Sequence, residues 1–180
     1  MTLYTGVDVS LTATAVVSID ETGEERYIFS ELGYPLKSSS TTWEEIERAE
    51  IIAKGVVSFI NGNKFSAIEG YAYAAKGRSI LQIAELGGII RHMILQQKWE
   101  DKPVFIPPTS LKKFCTGKGR ADKKKIAECV KIIWNFSSKD DNIVDAYVLA
   151  QMMRYSDESI RPTLPIMDFQ LDALKAIGLW

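Results

Sequence analysis

The sequence predicts an α/β fold, a mixed five-stranded sheet of three antiparallel strands and two parallel ones flanked by helices, and three observations carry that prediction. Two β-rich runs, residues 4–9 and 12–19, are parted only by a short turn at Ser10-Leu11. A third run, residues 26–32, follows the turn residues Asp20-Glu21-Thr22-Gly23, so the first three strands pair as antiparallel neighbours. Two later apolar runs, residues 65–69 and 103–106, each follow a helix-patterned stretch, and strands reached through helical crossovers join a sheet in parallel.

The helices are marked by caps and spacing. Thr42-Trp43-Glu44-Glu45 reads as a capping box, and Ile46, Ala49, Ala53, Val56, Val57 and Ile60 then share one face of a helix ending near Asn61-Gly62. Residues 78–98 form a long helix despite Gly87-Gly88, a pair that costs roughly 1 kcal/mol per glycine relative to alanine. Either another backbone approaches there or the helix kinks. Pro107-Pro108 stops the fifth strand, and a short helix covers residues 109–115. Beyond a loop at residues 116–120, Asp122 opens a helix with Ile126, Cys129, Val130 and Ile133 on one face. The last strong segment, residues 140–150, is a helix with acids in its first turns, and Asp141 and Asp145 stand four apart on one face. From Ser156 onward the chain holds two prolines among polar residues and a short amphipathic piece, residues 169–179, whose spacing does not name the surface it covers.

A chain of 180 residues with 46% hydrophobic content buries one good core. The apolar segments are short or broken by charge, Glu85 and Arg91 interrupting residues 80–95, and the N-terminus lacks a basic region followed by an apolar one. A soluble, cytoplasmic protein without membrane contact is expected. Cys115 and Cys129 lie 14 apart with a single histidine, His92, in the chain, which argues against a zinc site or a disulfide framework. Charge is placed unevenly. Residues 111–131 carry eight basic side chains against two acids, a net +6 that leaves -7 for the remainder. Such a segment is either a solvated face or a footprint for phosphate backbones.

Three carboxylate sites stand out: Asp8 and Glu69, each ending an apolar strand, and the acidic face of the late helix. A buried carboxylate needs a cation, a metal or hydrogen-bond donors to stay ionised. None has a basic neighbour in sequence. Hard oxygen ligands without histidine or cysteine suit magnesium or manganese, and two such ions about 4 Å apart clamp the attacking and leaving oxygens of a phosphodiester. Capping is the bland alternative; it suits Asp140 best and the strand-ending acids least.

Five segments in one order, GVDVS around Asp8, AIEGYAYAAKG around Glu69, IAELGGIIRHMI, PPTSLKKFCTGKGRADKKK and DDNIVDAYVLA, resemble the RuvC family of Holliday junction resolvases, within the ribonuclease H-like superfamily. The resemblance runs over residues 4–153, and residues 164–179 are similar to the tail of phage-encoded members. It implies a nuclease domain at residues 1–155 and a C-terminal tail at 156–180 with a short amphipathic helix. It further implies metal ligation by Asp8, Glu69, Asp145 and Asp141, with Mg2+ as the ion and Mn2+ able to substitute, and catalytic assistance from Lys112 and Lys123. The family commonly places its fourth acid three residues before the last aspartate; here that residue is Asn142, and Asp141 precedes it. Backbone contacts to DNA fall to Lys113, Lys118, Arg120 and Lys124. Where family members carry a wedge aromatic this chain has Ala72, flanked by Tyr71 and Tyr73. The implied protein is a homodimer acting on four-way or other branched DNA by paired nicks, with Gly87-Gly88 a meeting place for subunits. Three other readings use the same residues: a ribonuclease H-like nuclease for RNA or hybrids, a non-cleaving junction binder, and an actin-like kinase built on Asp8, Ser10 and Thr12. Intact carboxylates weigh against the second, and the kinase fold needs two such domains.

Overall fold

Side-chain alternation along the first strand lays out the molecule, whose computed structural model describes residues 1–70 and 78–180. In β1 (Tyr4–Asp8), Tyr4, Gly6 and Asp8 point to one face of the sheet and Thr5 and Val7 to the other. Tyr4 enters one apolar cluster with Ala15, Val17, Ala67 and Ile106, whereas Val7 enters another with Val16 and Ile68. The sheet therefore has a core on each side.

β2 (Thr14–Ile19) pairs antiparallel with β1, and β3 (Glu25–Leu32) antiparallel with β2. β4 (Phe65–Glu69) and β5 (Val104–Ile106) add in parallel, giving the order β3-β2-β1-β4-β5. The expected mixed five-stranded sheet is the one observed. The first turn is longer than expected, because Ser10 and Thr14 close it: the Ser10 amide donates to Thr14 Oγ1 at 2.9 Å and that hydroxyl donates back to the Ser10 carbonyl at 2.6 Å.

The Val7 face is covered by α1 (Thr42–Ile60) and α2 (Arg78–Gln97), which pack on each other. The capping box lies one residue earlier than the sequence reading placed it: Thr41 is the cap, its hydroxyl accepting from the Glu44 amide at 3.3 Å while Glu44 accepts from the Thr41 amide at 2.6 Å. Ile52, absent from the expected face, is fully buried beside Ala49, Ala53 and Val56. On α2 a Cβ built at Gly88 meets nothing within 4 Å, so no other part of the described chain approaches there.

The Tyr4 face is covered by α5 (Asp141–Ser156), buried at every position from Ala146 to Tyr155. Burial all round follows from its place, with the sheet below it and α3 (Pro108–Thr116) and α4 (Lys123–Trp134) packed against it. α5 lies on β1 with no side chain between them at Gly6, where an added Cβ would stand 2.0 Å from the Ala146 carbonyl and 2.6 Å from the Ala150 amide. Only glycine permits that approach. The tail runs through a 3-10 turn (Arg161–Thr163) into α6 (Asp168–Lys175), which packs on α3, burying Gln170, Ala173 and Leu174. Phe169 covers Gly117, and the Tyr155 hydroxyl donates to the Pro165 carbonyl at 3.0 Å. Leu174 belongs to the same core cluster as Tyr4 and Phe114. No described helix is long and apolar enough to cross a membrane.

Candidate active site

Two neighbouring parallel strands end together on carboxylates. The register that pairs Val7 with Ile68 sets Asp8 and Glu69 side by side at the C-terminal edge of the sheet, both on the α5 face. Asp8 is 6% exposed and Glu69 half-buried. Burial first, then the Glu69 charge and a hydrogen bond to it, push the Asp8 carboxyl well above its ordinary range. Burial also raises Glu69; the hydrogen bond from Asp8 works against that rise, and Asp145 adds to it. Asp8 and Glu69 thus stand as a hydrogen-bonded pair of carboxyls, both harder to ionise than free ones.

The first turn of α5 brings the remaining acids, and the Gly6 contact sets how close they come. Asp145, one residue before the Ala146 carbonyl that touches Gly6, is pushed up to about 7 by burial and then by the Asp8 charge, with Asp141 contributing in the same direction. Asp141 is the first residue of α5, half exposed, with Oδ2 3.2 Å from Lys123 Nζ. Asp140 is the helix cap, accepting from the Asn142 amide at 2.9 Å, and its charge also raises Asp8. Asn142, at the position of the family's fourth acid, donates its side-chain amide to the Ala13 carbonyl at 2.8 Å, pinning the start of α5 to the β1–β2 turn. That bond was not legible from spacing, since its two ends lie 129 residues apart.

The sequence offers these acids no basic neighbours; the fold supplies two. The charges of Lys112 on α3 and Lys123 on α4 both lower Glu69 and Asp145, and Lys123 also lowers Asp8. Burial works to lower the Lys123 ammonium, but the bond to Asp141 and the charges of Asp141, Asp145 and Asp8 outweigh it. Of the other sequence-predicted residues, Lys113 lies on α3, Lys118 and Arg120 on the α3–α4 loop, and Lys124 in the first turn of α4, so the basic segment flanks the acids. Tyr71 and Tyr73 lie outside the described residues. Both cysteines are free; burial pushes the Cys115 thiol up to about 12, which makes it unreactive.

Among the described residues no three His, Cys, Asp or Glu side chains gather around one point, the acids standing as a bonded pair with Asp145 and Asp141 beyond. The donor set nonetheless fits divalent cations. It is all hard oxygen, with Asp8, Glu69 and Asp145 drawn out of solvent and, among the described residues, short of hydrogen-bond donors.

A family model described as crossover junction endodeoxyribonuclease RuvC matches residues 5–152. The chain belongs to the RuvC family. Like that family it is a divalent-metal-dependent endodeoxyribonuclease of Holliday junctions. Two solved structures share the RuvC fold: Thermus thermophilus RuvC in complex with a Holliday junction substrate has a TM-score of 0.62 at 14% identity over 93% of this chain and 100% of that one. A second Thermus thermophilus RuvC structure gives 0.62 at 13% identity over 92% and 99%. No curated protein sequence matches. The RuvC match stops before the tail, so α6 and its contact with α3 lie outside the part that the family model describes.

Proposed function

We propose that this RuvC-family chain resolves four-way DNA as a homodimer, each protomer nicking one strand at the pocket of Asp8, Glu69, Asp141 and Asp145 with magnesium bound. One observation supports the assignment of residues: parallel register carries Asp8 and Glu69 side by side as a hydrogen-bonded pair, and the charges of Lys112 and Lys123 act on Glu69 from α3 and α4. Magnesium, or manganese in its place, would be held by these four carboxylates and would supply Lewis-acid activation of the scissile phosphate and of the attacking water. The chain's own acids orient and neutralise that charge, with Asp141 exchanging its bond to Lys123 for a share in the site. Lys112 and Lys123 stabilise negative charge building on the phosphate. Lys113, Lys118, Arg120 and Lys124 neutralise flanking phosphates, and Tyr71 and Tyr73 stack on bases near the branch point. Residues 1–155 form the nuclease and 156–180 a tail that braces it from α3. The protein works on DNA in the cytoplasm of a bacterial or phage-infected cell.

The bare face of α2 supports a dimer. Leu81 and Leu95 are 67% and 65% exposed, and Gly88 stands midway between them with open space above it. Residues seven apart return to one face of a helix, and a glycine there lets a second helix come close. A C2 pair supplies two symmetric sites. Sedimentation should give a dimer at micromolar concentration; a monomer with and without junction DNA would turn the reading towards a simple branch nuclease.

The decisive assay offers four-way DNA, flap DNA, an RNA/DNA hybrid and ATP to the protein with magnesium. Paired, symmetric nicks in four-way DNA are expected. Faster cleavage of the hybrid would assign a ribonuclease H activity, and tight junction binding without any cut would make the chain a binder.

A further inference from the structure

Behind the carboxylates, on the opposite face of the sheet, a cavity of about 230 Å³ opens at the same strand ends. Its floor is apolar, made by Ile68 of β4 and by Ile83 and Ile90 of α2. One wall carries two flat groups: the Phe105 ring on the edge strand β5, and the Arg91 guanidinium 5.3 Å from that ring's centre. Glu69 and Gly70 line the same cavity, so it adjoins the acids that cut DNA.

We propose that this cavity takes one unpaired nucleobase, from the nucleotide next to the scissile phosphate. The inference rests on the resolvase reading and adds a base-binding subsite to it. The flat groups and the apolar floor choose the ligand class. A sugar or a phosphate gains little from isoleucines and a phenyl ring, whereas every base has a π face that stacks on an aromatic or on arginine. Geometry supplies the occupant. The cavity and the carboxylates open at the same end of β4, on opposite faces that meet at Glu69-Gly70, so a strand held at the acids can turn its next base over that end into the cavity. A four-way junction supplies it readily, since bases at the exchange point leave the stack at lower cost than bases inside a duplex. Phe105 is a large apolar side chain left 36% exposed, and a base on its free face would cover it.

The test is a double-mutant cycle between protein and DNA. Nicks are first mapped on four-way DNA, and an abasic residue is then placed at each position flanking the cut. Single-turnover cleavage and junction affinity are measured for wild type, Phe105→Ala and Phe105→Leu. At one position the abasic junction should be processed about tenfold less efficiently by wild type, the size of one lost base–aromatic contact. Phe105→Ala should lose about as much on the intact junction, and almost nothing more on the abasic one. Phe105→Leu keeps apolar bulk without a π face; its loss should match Phe105→Ala with the melting temperature unchanged. Independent, multiplying losses at every position overturn the inference while leaving the resolvase reading in place. A Phe105→Ala dimer that dissociates on sedimentation also overturns it, assigning the wall to a second copy of the chain. Failure of wild type to bind or cut four-way DNA removes the resolvase reading and this inference with it.

Discussion

The two ends of the sheet close carboxylates off from solvent to a similar degree and treat them in opposite ways. Asp20 and Asp157, at the end away from the cleft, are 3% and 6% exposed, much like Asp8 at 6%. Asp20 accepts from the Thr22 amide and hydroxyl, from the Glu24 amide and from Arg26, so that although burial alone would raise it, those donors hold it far below the carboxylate range. Asp157 accepts from the Tyr4 hydroxyl at 2.6 Å and from the Ser159 amide and hydroxyl, and is likewise held low against the pull of burial. At the other end, among the described residues, Asp8 meets Glu69 in place of donors, and both rise. Low exposure alone therefore does not separate a structural acid from one at the candidate site. The difference is how many donors the backbone and hydroxyls provide; acids left short of them keep their lone pairs for a ligand.

The contrast breaks most visibly through activity. Asp8→Asn, Glu69→Gln and Asp145→Asn should each abolish cleavage of four-way DNA and leave junction affinity within about tenfold, roughly 1.4 kcal/mol, whereas Asp20→Asn should cut normally. Near-normal cleavage by the Asp8 or Glu69 variant at saturating magnesium would sink the assignment. Within the cleft, Asp141→Asn should slow single-turnover cleavage at least about a hundredfold, near 2.7 kcal/mol. Asp140→Asn should hardly change it, because asparagine also caps helices well. The reverse ranking would move the fourth ligand to the cap.

Stability sharpens the contrast with opposite signs of pH dependence. Tyr4→Phe takes from buried Asp157 its phenolic donor and should cost roughly 1–3 kcal/mol in urea unfolding at neutral pH. Because Asp157 is lowered in the fold, the stability it contributes is present above its unfolded pKa near 4 and lost as pH falls through the folded value. Asp145 does the reverse: raised to about 7, it contributes nothing adverse at pH 3 and an increasing penalty as pH climbs from about 4 through 7. Metal-free Asp145→Asn should accordingly be more stable than wild type at pH 8, by roughly 2 kcal/mol or 4–8 °C in melting temperature, and no more stable at pH 3. Equal shifts at both pH values would mean that repacking, not charge, is responsible.

Much of this was legible because the strand-ending acids break a simple pattern: Asp8 and Glu69 each close an apolar run, and parallel register then had to set them side by side. Which strands pair antiparallel and which join in parallel followed from connection lengths; the order β3-β2-β1-β4-β5 came from the fold. Lys112 and Lys123 came from the family resemblance alone, since only the fold carries α3 and α4 to the acids. The donor-rich acids were not legible. Asp20 reads as a turn residue, and nothing local shows that Arg26 will fold back over it; Asp157 finds Tyr4 from 153 residues away. The short reach of the sequence patterns also misses Gly6, because a glycine inside a strand signals equally a bulge or a close neighbour, and the neighbour here is a helix more than a hundred residues later. The tail shows an apolar stripe but not its partner, and a stripe fits any groove of its width.

The seat of α6 on α3 has a consequence for biosynthesis. A ribosome releases α3 first, and α6, which packs on it, follows only after the whole of α4 and α5, roughly 3–10 s later at common elongation rates of about 5–20 residues per second. During that interval α3, nine residues long and without a side-chain cap at its N-terminus, has no complete packing partner to hold it helical. Until α6 docks, α3 rests on α4 and α5 alone through Phe114, so a nascent chain sets its strand-end carboxylates well before the helix that carries Lys112 is covered on its other side.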